Sequence, residues 1–287
     1  MPTKLLASFA RFVHFSNVLI AIATVALCLQ TALLLDWLFI PNWFYVLMFC
    51  ITILQYGLLG LFAKKDTANA KPKPGFWNRN PPYFIGTIVI AALVTAYLFF
   101  HLKWLQIYWF ILIWVLTLAC RFPILPIKLR RRFRQNDILK LLVLVIVWTV
   151  STTVLPATFI PYGFDKKFYW LLAFRFLFTL AICIPFDVRG DITDIKTARR
   201  TMVSLMGEKL CYRLAYLCLL IGAILLIQGY YLDVPIYYLI ALLLSLIATA
   251  WMVDYNGKHM FSTTSYIIPG ASMILQTVLV CTAILIP

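Results

Sequence analysis

Residues 212–232 read YRLAYLCLLIGAILLIQGYYL. One charge, Arg213, stands near the start, and the remainder is apolar or weakly polar over the length a helix needs to cross a hydrocarbon core of about 30 Å. Apolar and polar residues do not alternate, so the run is not a half-buried strand. A bilayer interior offers no water to free N–H and C=O groups, so a helix is the form such a run takes.

Outward from this stretch the pattern repeats. Further runs of similar length cover residues 14–35, 43–63, 83–101, 105–121, 138–160, 168–187, 234–253 and 266–286. The tightest divisions between neighbours fall at His101 to Trp104 and at Leu232 to Val234. Over all 287 residues, 63% are hydrophobic, 12% are charged and the mean hydropathy is +0.93, values that exclude an ordinary soluble domain. The expected fold class is therefore an all-α polytopic membrane protein, with about nine transmembrane helices in a single transmembrane domain over residues 1–287.

The net charge of +15 would suggest a nucleic-acid partner in a soluble protein. Here the basic residues lie in short connections between apolar runs, where the positive-inside rule accounts for them, and no nucleic-acid partner is expected. With the N-terminus cytoplasmic, 21 of the 25 Lys and Arg residues fall on or beside cytoplasmic segments. Lys103, Lys166 and Lys167 fall on the other side, and Arg175 lies within a span. Lys4 and Arg11 precede the first run without a convincing cleavage site, so it reads as a retained helix. The seven cysteines are scattered through apolar stretches without CxxC spacing and read as packing residues.

Acidic residues are scarce, nine Asp and one Glu, and three of the ten fall within eight positions. The segment is Pro185-Phe186-Asp187-Val188-Arg189-Gly190-Asp191-Ile192-Thr193-Asp194. Its carboxylates sit at i, i+4 and i+7, one face if the segment is helical. Like charges so placed repel unless a cation sits between them, and oxygen donors at a membrane surface suit Mg²⁺ shared with phosphate oxygens. The simpler reading is a solvated segment whose acids pair with Arg189, Lys196, Arg199 and Arg200. A second feature is Arg175, near the middle of its run, where a charge is costly. Its partners are expected among carbonyls and hydroxyls of the bundle. His14 and His101 read as interfacial.

The Asp187–Asp194 segment, followed by Lys196, Arg200-Thr201 and Val203 to Gly207, resembles the second aspartate motif of the UbiA superfamily of intramembrane aromatic prenyltransferases. Asp137-Ile138-Leu139-Lys140 through Trp148 to Pro156 is similar to the fifth helix of some members. The resemblance implies helices around a central cavity and Mg²⁺-dependent transfer of a prenyl group from prenyl diphosphate to an aromatic or lipid acceptor. It places Asp187, Asp191 and Asp194 on the metal, and Lys140, Arg189 and Lys196 on the diphosphate. A bacterial inner membrane and its lipid are the expected setting.

Two departures qualify the match. With Thr201 and Gly207 aligned, the family's penultimate aspartate falls on Gly190, and Asp191 stands beside it. The family's first motif, an Asn-x-x-x-Asp type, is replaced after the second run by Lys64-Lys65-Asp66. A catalytically inactive homologue that binds isoprenoid or other lipid is therefore a second expectation. A secondary transporter is a third, supported only by Arg175.

Overall fold

The computed structural model describes residues 17–37, 39–63, 81–121, 137–161, 163–193, 202–258 and 267–285. Among these the chain is helical, with no strand. The helices are α1 (Val18–Leu34), α2 (Asn42–Ala63), α3 (Pro81–Phe99), α4 (Trp104–Arg121) and α5 (Asp137–Thr149). After α5 come a π-helical stretch, Val150–Val154, and a closing turn, Leu155–Ala157. Then follow α6 (Lys166–Thr193), the short α7 (Met202–Met206), α8 (Glu208–Tyr231), α9 (Ile236–Lys258) and α10 (Ile268–Ala283).

Among the described residues, each apolar run read from the sequence overlaps helical structure, the run 138–160 being shared by α5, the π-helical stretch and the closing turn. Four stretches, Ile138–Ala157, Lys166–Pro185, Glu208–Tyr231 and Ile236–Lys258, are long and apolar enough to cross a membrane. Five others, Val18–Leu34, Asn42–Leu58, Phe84–Phe99, Trp104–Thr117 and Ile268–Ala283, are apolar but shorter. Leu217, Leu220, Ile224 and Ile227 line one exposed face of α8, each between 49% and 61% exposed. A continuous apolar face of that kind is costly in water and at home against lipid tails, consistent with an integral membrane protein.

Helix ends are set by local chemistry. Asp165 caps α6 by accepting the Phe168 N–H at 2.7 Å. At the ends of α1 and α8 the chain turns through left-handed residues, Asp36 (φ 54°) and Asp233 (φ 56°). There Trp37 N–H reaches back to Ala32 O, and Val234 N–H to Gly229 O, the pattern that satisfies a helix's last carbonyls. Between α7 and α8 sits Gly207 at φ 78°, ψ 154°. A Cβ there would meet open space. Gly207→Ala is therefore expected to cost only backbone strain, about 1–3 kcal/mol. Chemical unfolding of the variant checks this, and unchanged stability would show that the turn relaxes freely.

The described residues fall into two compact units, one drawn from stretches 1–26 and 41–103, the other from 27–40 and 104–287. In the first, α2 and α3 pack closely where Gly57 faces Ile88, since a Cβ on Gly57 would stand 2.7 Å from Ile88 Cγ1. His101, just beyond α3, is exposed and lies against Trp43 and Tyr97, ring centroids 5.8 and 5.4 Å away. This is the amphipathic setting expected of an interfacial residue.

In the second unit α6 is the inner helix. Of its apolar stretch 67% is buried, against 33% for α8. It packs against α5, α8 and α9. One core joins Leu141 and Val145 of α5, Cys183, Ile184 and Val188 of α6, Met202 of α7, Cys211 and Ala215 of α8, and Val253 of α9. Nearer the start of α6, Trp170, Phe174 and Phe178 stack one turn apart, and the Trp170 indole N–H donates to Leu225 O of α8 at 2.7 Å.

Candidate functional site

Two places in the second unit carry polar groups that packing alone does not require. The first is the C-terminal end of α6. The apolar span ends near Pro185, as the sequence suggests, and the acidic segment beyond it, whose helical state the sequence leaves open, continues the same helix to Thr193. Pro185 lies 19 residues into α6, where it has no N–H to give the preceding turn, yet the helix does not end there. Asp187, Arg189 and Asp191 therefore belong to a continuous helix, with Asp187 and Asp191 four residues apart on one face. Asp187 is half-buried.

The core described above brings the start of α5 to this same end of α6, because Leu141 and Val145 pack with Ile184 and Val188. Lys140, half-buried, precedes Leu141 on that helix. Tyr212 of α8 packs on the same core, and its hydroxyl is buried without a hydrogen-bond partner. Asn256 of α9 adds a buried, unpartnered Oδ1. A Cβ on Gly257, next to it, would stand 3.3 Å from Tyr212 Cζ. Asp194 and Lys196 lie outside the described residues. No group of three metal-ligating side chains is gathered among the described residues.

The second place is Arg175, nine residues into α6 and 0% exposed. Its Nη2 donates to Leu27 O at 3.4 Å and to Thr31 Oγ1 at 3.3 Å, both on the C-terminal half of α1. Carbonyl and hydroxyl partners are what the sequence reading expected. Its Nε and Nη1 have no partner. The Thr31 hydroxyl also contacts Leu27 O at 3.0 Å and Thr152 O at 2.8 Å, and Cys28 Sγ lies 3.8 Å from Ser151 O.

Those two carbonyls are available to α1 because of the π-helical stretch that precedes Pro156. Leu155 N–H bonds five residues back to Val150 O, and Pro156 has no N–H to offer the turn before it. Thr31, Cys28 and the widened turn were missed in the sequence. The available signal was the run Val150-Ser151-Thr152-Thr153-Val154 just ahead of a proline inside an apolar helix.

Further polar groups on these elements are buried and unpaired: both amide atoms of Gln30 on α1 and the Thr149 hydroxyl on α5. The molecule is thus a helical protein with membrane-spanning character, carrying an acidic helix end and a buried arginine. Comparison with protein families, with curated proteins and with solved structures finds no match.

Proposed function

We propose that the chain is a Mg²⁺-dependent, prenyltransferase-like protein of a bacterial inner membrane, transferring a prenyl group from its diphosphate to an aromatic or lipid acceptor. The observation that supports this reading is the unbroken course of α6 into the acidic segment. It holds Asp187 and Asp191 one turn apart, about 6 Å along the axis, beside the end of α5 that carries Lys140.

Two carboxylates on one helical turn, joined by phosphate oxygens, are a donor set that suits Mg²⁺. Bound there, the ion would stabilise negative charge on the departing diphosphate. Asp187, Asp191 and Asp194 supply the oxygens. Lys140, Arg189 and Lys196 donate to phosphate oxygens through charge-assisted hydrogen bonds. The prenyl C–O bond breaks with its electron pair leaving on diphosphate. An electron pair of the acceptor forms the new bond, and the acceptor's proton leaves to solvent. With the N-terminus cytoplasmic, as the charge distribution favours, this end of α6 faces the cytoplasm.

A second reading, a binding protein that holds prenyl diphosphate or lipid without turnover, is favoured by one observation. The connection after α2 offers a single carboxylate, Asp66, between lysines and the chain beyond, in place of a second acidic motif. Purified chain in liposomes, given an allylic prenyl diphosphate and a panel of aromatic acceptors with Mg²⁺ or with chelator, separates the two. Mg²⁺-dependent release of diphosphate with a prenylated product is the expected result. Tight binding with no product under any condition would leave the binding reading standing and remove the transferase.

A further inference from the structure

Arg175 presents a charge imbalance. A guanidinium keeps its proton in a protein, so its charge cannot be relieved by deprotonation. Burying a charge is costly unless it is paired and hydrogen-bonded. No carboxylate among the residues whose side chains are described pairs with Arg175. Asp187 stands twelve residues further along α6, about 18 Å by helical rise. Asp165 caps the start of the helix, Asp254 pairs with Lys258, and Asp36, Asp233 and Glu208 are exposed. What Arg175 does have is two neutral oxygens on Nη2, which leaves three of the five guanidinium N–H donors, on Nε and Nη1, dry and unpaired.

The surroundings make this a built site rather than a stray side chain. Thr31 is fixed by its contacts to Leu27 O and Thr152 O, and so holds Nη2 and orients the guanidinium. The Thr152 carbonyl is available to Thr31 because of the π-helical turn, a local deformation concentrated at functional sites. The Gln30 amide on α1 and the Thr149 hydroxyl on α5 add further unused donors on the same elements. The stacked rings of Trp170, Phe174 and Phe178 share α6 with Arg175.

We infer that Arg175 is the anchor for a monoanionic carboxylate carried by a membrane-soluble acid. The charge selects this class. One guanidinium balanced by one carboxylate leaves a neutral pair inside the bundle, whereas a dianionic phosphate monoester or a diphosphate would leave excess negative charge among apolar walls. A carboxylate oxygen accepts from the free Nη1–H or Nε–H donors in a charge-assisted hydrogen bond. The route is through lipid, so the bulk of the ligand is hydrophobic. Binding requires the side chains packed over Nε and Nη1 to move, because these donors are closed off from solvent in the ligand-free state, while the Thr31 contact that holds Nη2 stays in place. This site does not depend on the reading of Asp187 and Asp191, and its test reads binding rather than transfer.

The experiment uses the full chain in zwitterionic nanodiscs at alkaline pH, titrated with oleate and with 4-octylbenzoate. Oleyl alcohol and the methyl ester of the benzoate are the uncharged controls, and sodium chloride is the small-anion control. At least one of the two acids is expected to bind saturably and to raise the unfolding temperature, with no effect from the controls. In Arg175→Leu the affinity falls about a hundredfold or more, while the ligand-free variant unfolds at no lower temperature than the parent, since an unpaired buried charge has been removed. Thr31→Val, which keeps the side-chain volume and releases Nη2, weakens binding about tenfold. It carries the test if Arg175→Leu does not fold. Failure of both acids, an equal response to the uncharged controls or to chloride, or unchanged affinity in the variants would each overturn the inference. A ligand-free Arg175→Leu that unfolds well below the parent would do the same, because it would make Arg175 a structural tie.

Discussion

Replacing Asp187 and Asp191 together by Asn is expected to lower prenyl transfer by about a hundredfold or more, since metal-mediated charge stabilisation of a leaving group is worth several kcal/mol and the proposed site draws two of its three carboxylates from this pair. Asn keeps the size of Asp and one acceptor oxygen, so the helix and its core contacts through Val188 and Ile184 survive. What is lost is negative charge, without which Mg²⁺ has little reason to leave water. The effect should fall on turnover and on the Mg²⁺ concentration needed for half-maximal rate, with the unfolding temperature nearly unchanged. Lys140→Ala should instead weaken binding of the prenyl diphosphate while leaving the Mg²⁺ dependence in place. If the double Asn variant transfers prenyl groups within a few-fold of the parent rate, the roles assigned to these carboxylates are wrong.

The largest expected effect on stability is that of Gly229→Leu. Even a single Cβ at this position would stand 2.7 Å from Trp170 Cζ2, 2.9 Å from Trp170 Cε2 and 3.0 Å from Leu239 Cδ2, so α6, α8 and α9 meet across a residue that has no side chain. A leucine there must push the indole aside. The movement breaks the bond from Trp170 Nε1 to Leu225 O, which leaves a buried N–H without a partner. Overpacking of about 1–3 kcal/mol and an orphaned donor of about 1–3 kcal/mol together give a loss of about 2–6 kcal/mol. Unfolding in detergent mixtures should show it as a clear drop in the midpoint. Gly222→Ala is a useful contrast, since the nearest atom to its Cβ would be 3.7 Å away in ordinary contact. Equal stability of the Gly229 and Gly222 variants would mean that the helices separate at little cost.

These predictions rest on different levels of the molecule. The helical character of the chain and the positions of its apolar runs were legible in residues such as 212–232, because in lipid the backbone must satisfy itself within each segment. Length and hydropathy are then nearly sufficient. Arg175 was legible as a costly charge from its place in an apolar run. The pairing of Asp187 with Asp191 by spacing was legible as well, but whether the spacing meant anything depended on the segment being helical. The apolar run ends at 187, and Pro185, Gly190 and three acids beyond or beside that point are weak helix formers. Packing of Ile184 and Val188 against α5 overrides that local preference and carries α6 on to Thr193.

By itself, then, the sequence determined the solvent this protein folds in, where its helices run and which few charged residues merit a functional explanation. Those properties are local in the chain, set by composition over about 20 residues. Only the tertiary structure decided what Arg175 touches, that a proline-associated π-helical turn presents carbonyls to α1, and that Lys140 enters at the acidic end of α6. Each of these joins residues more than 30 positions apart, and in the case of Leu27 and Arg175, 148 apart. Such pairings follow from how helix faces fit one another in space, a property that no window of sequence contains.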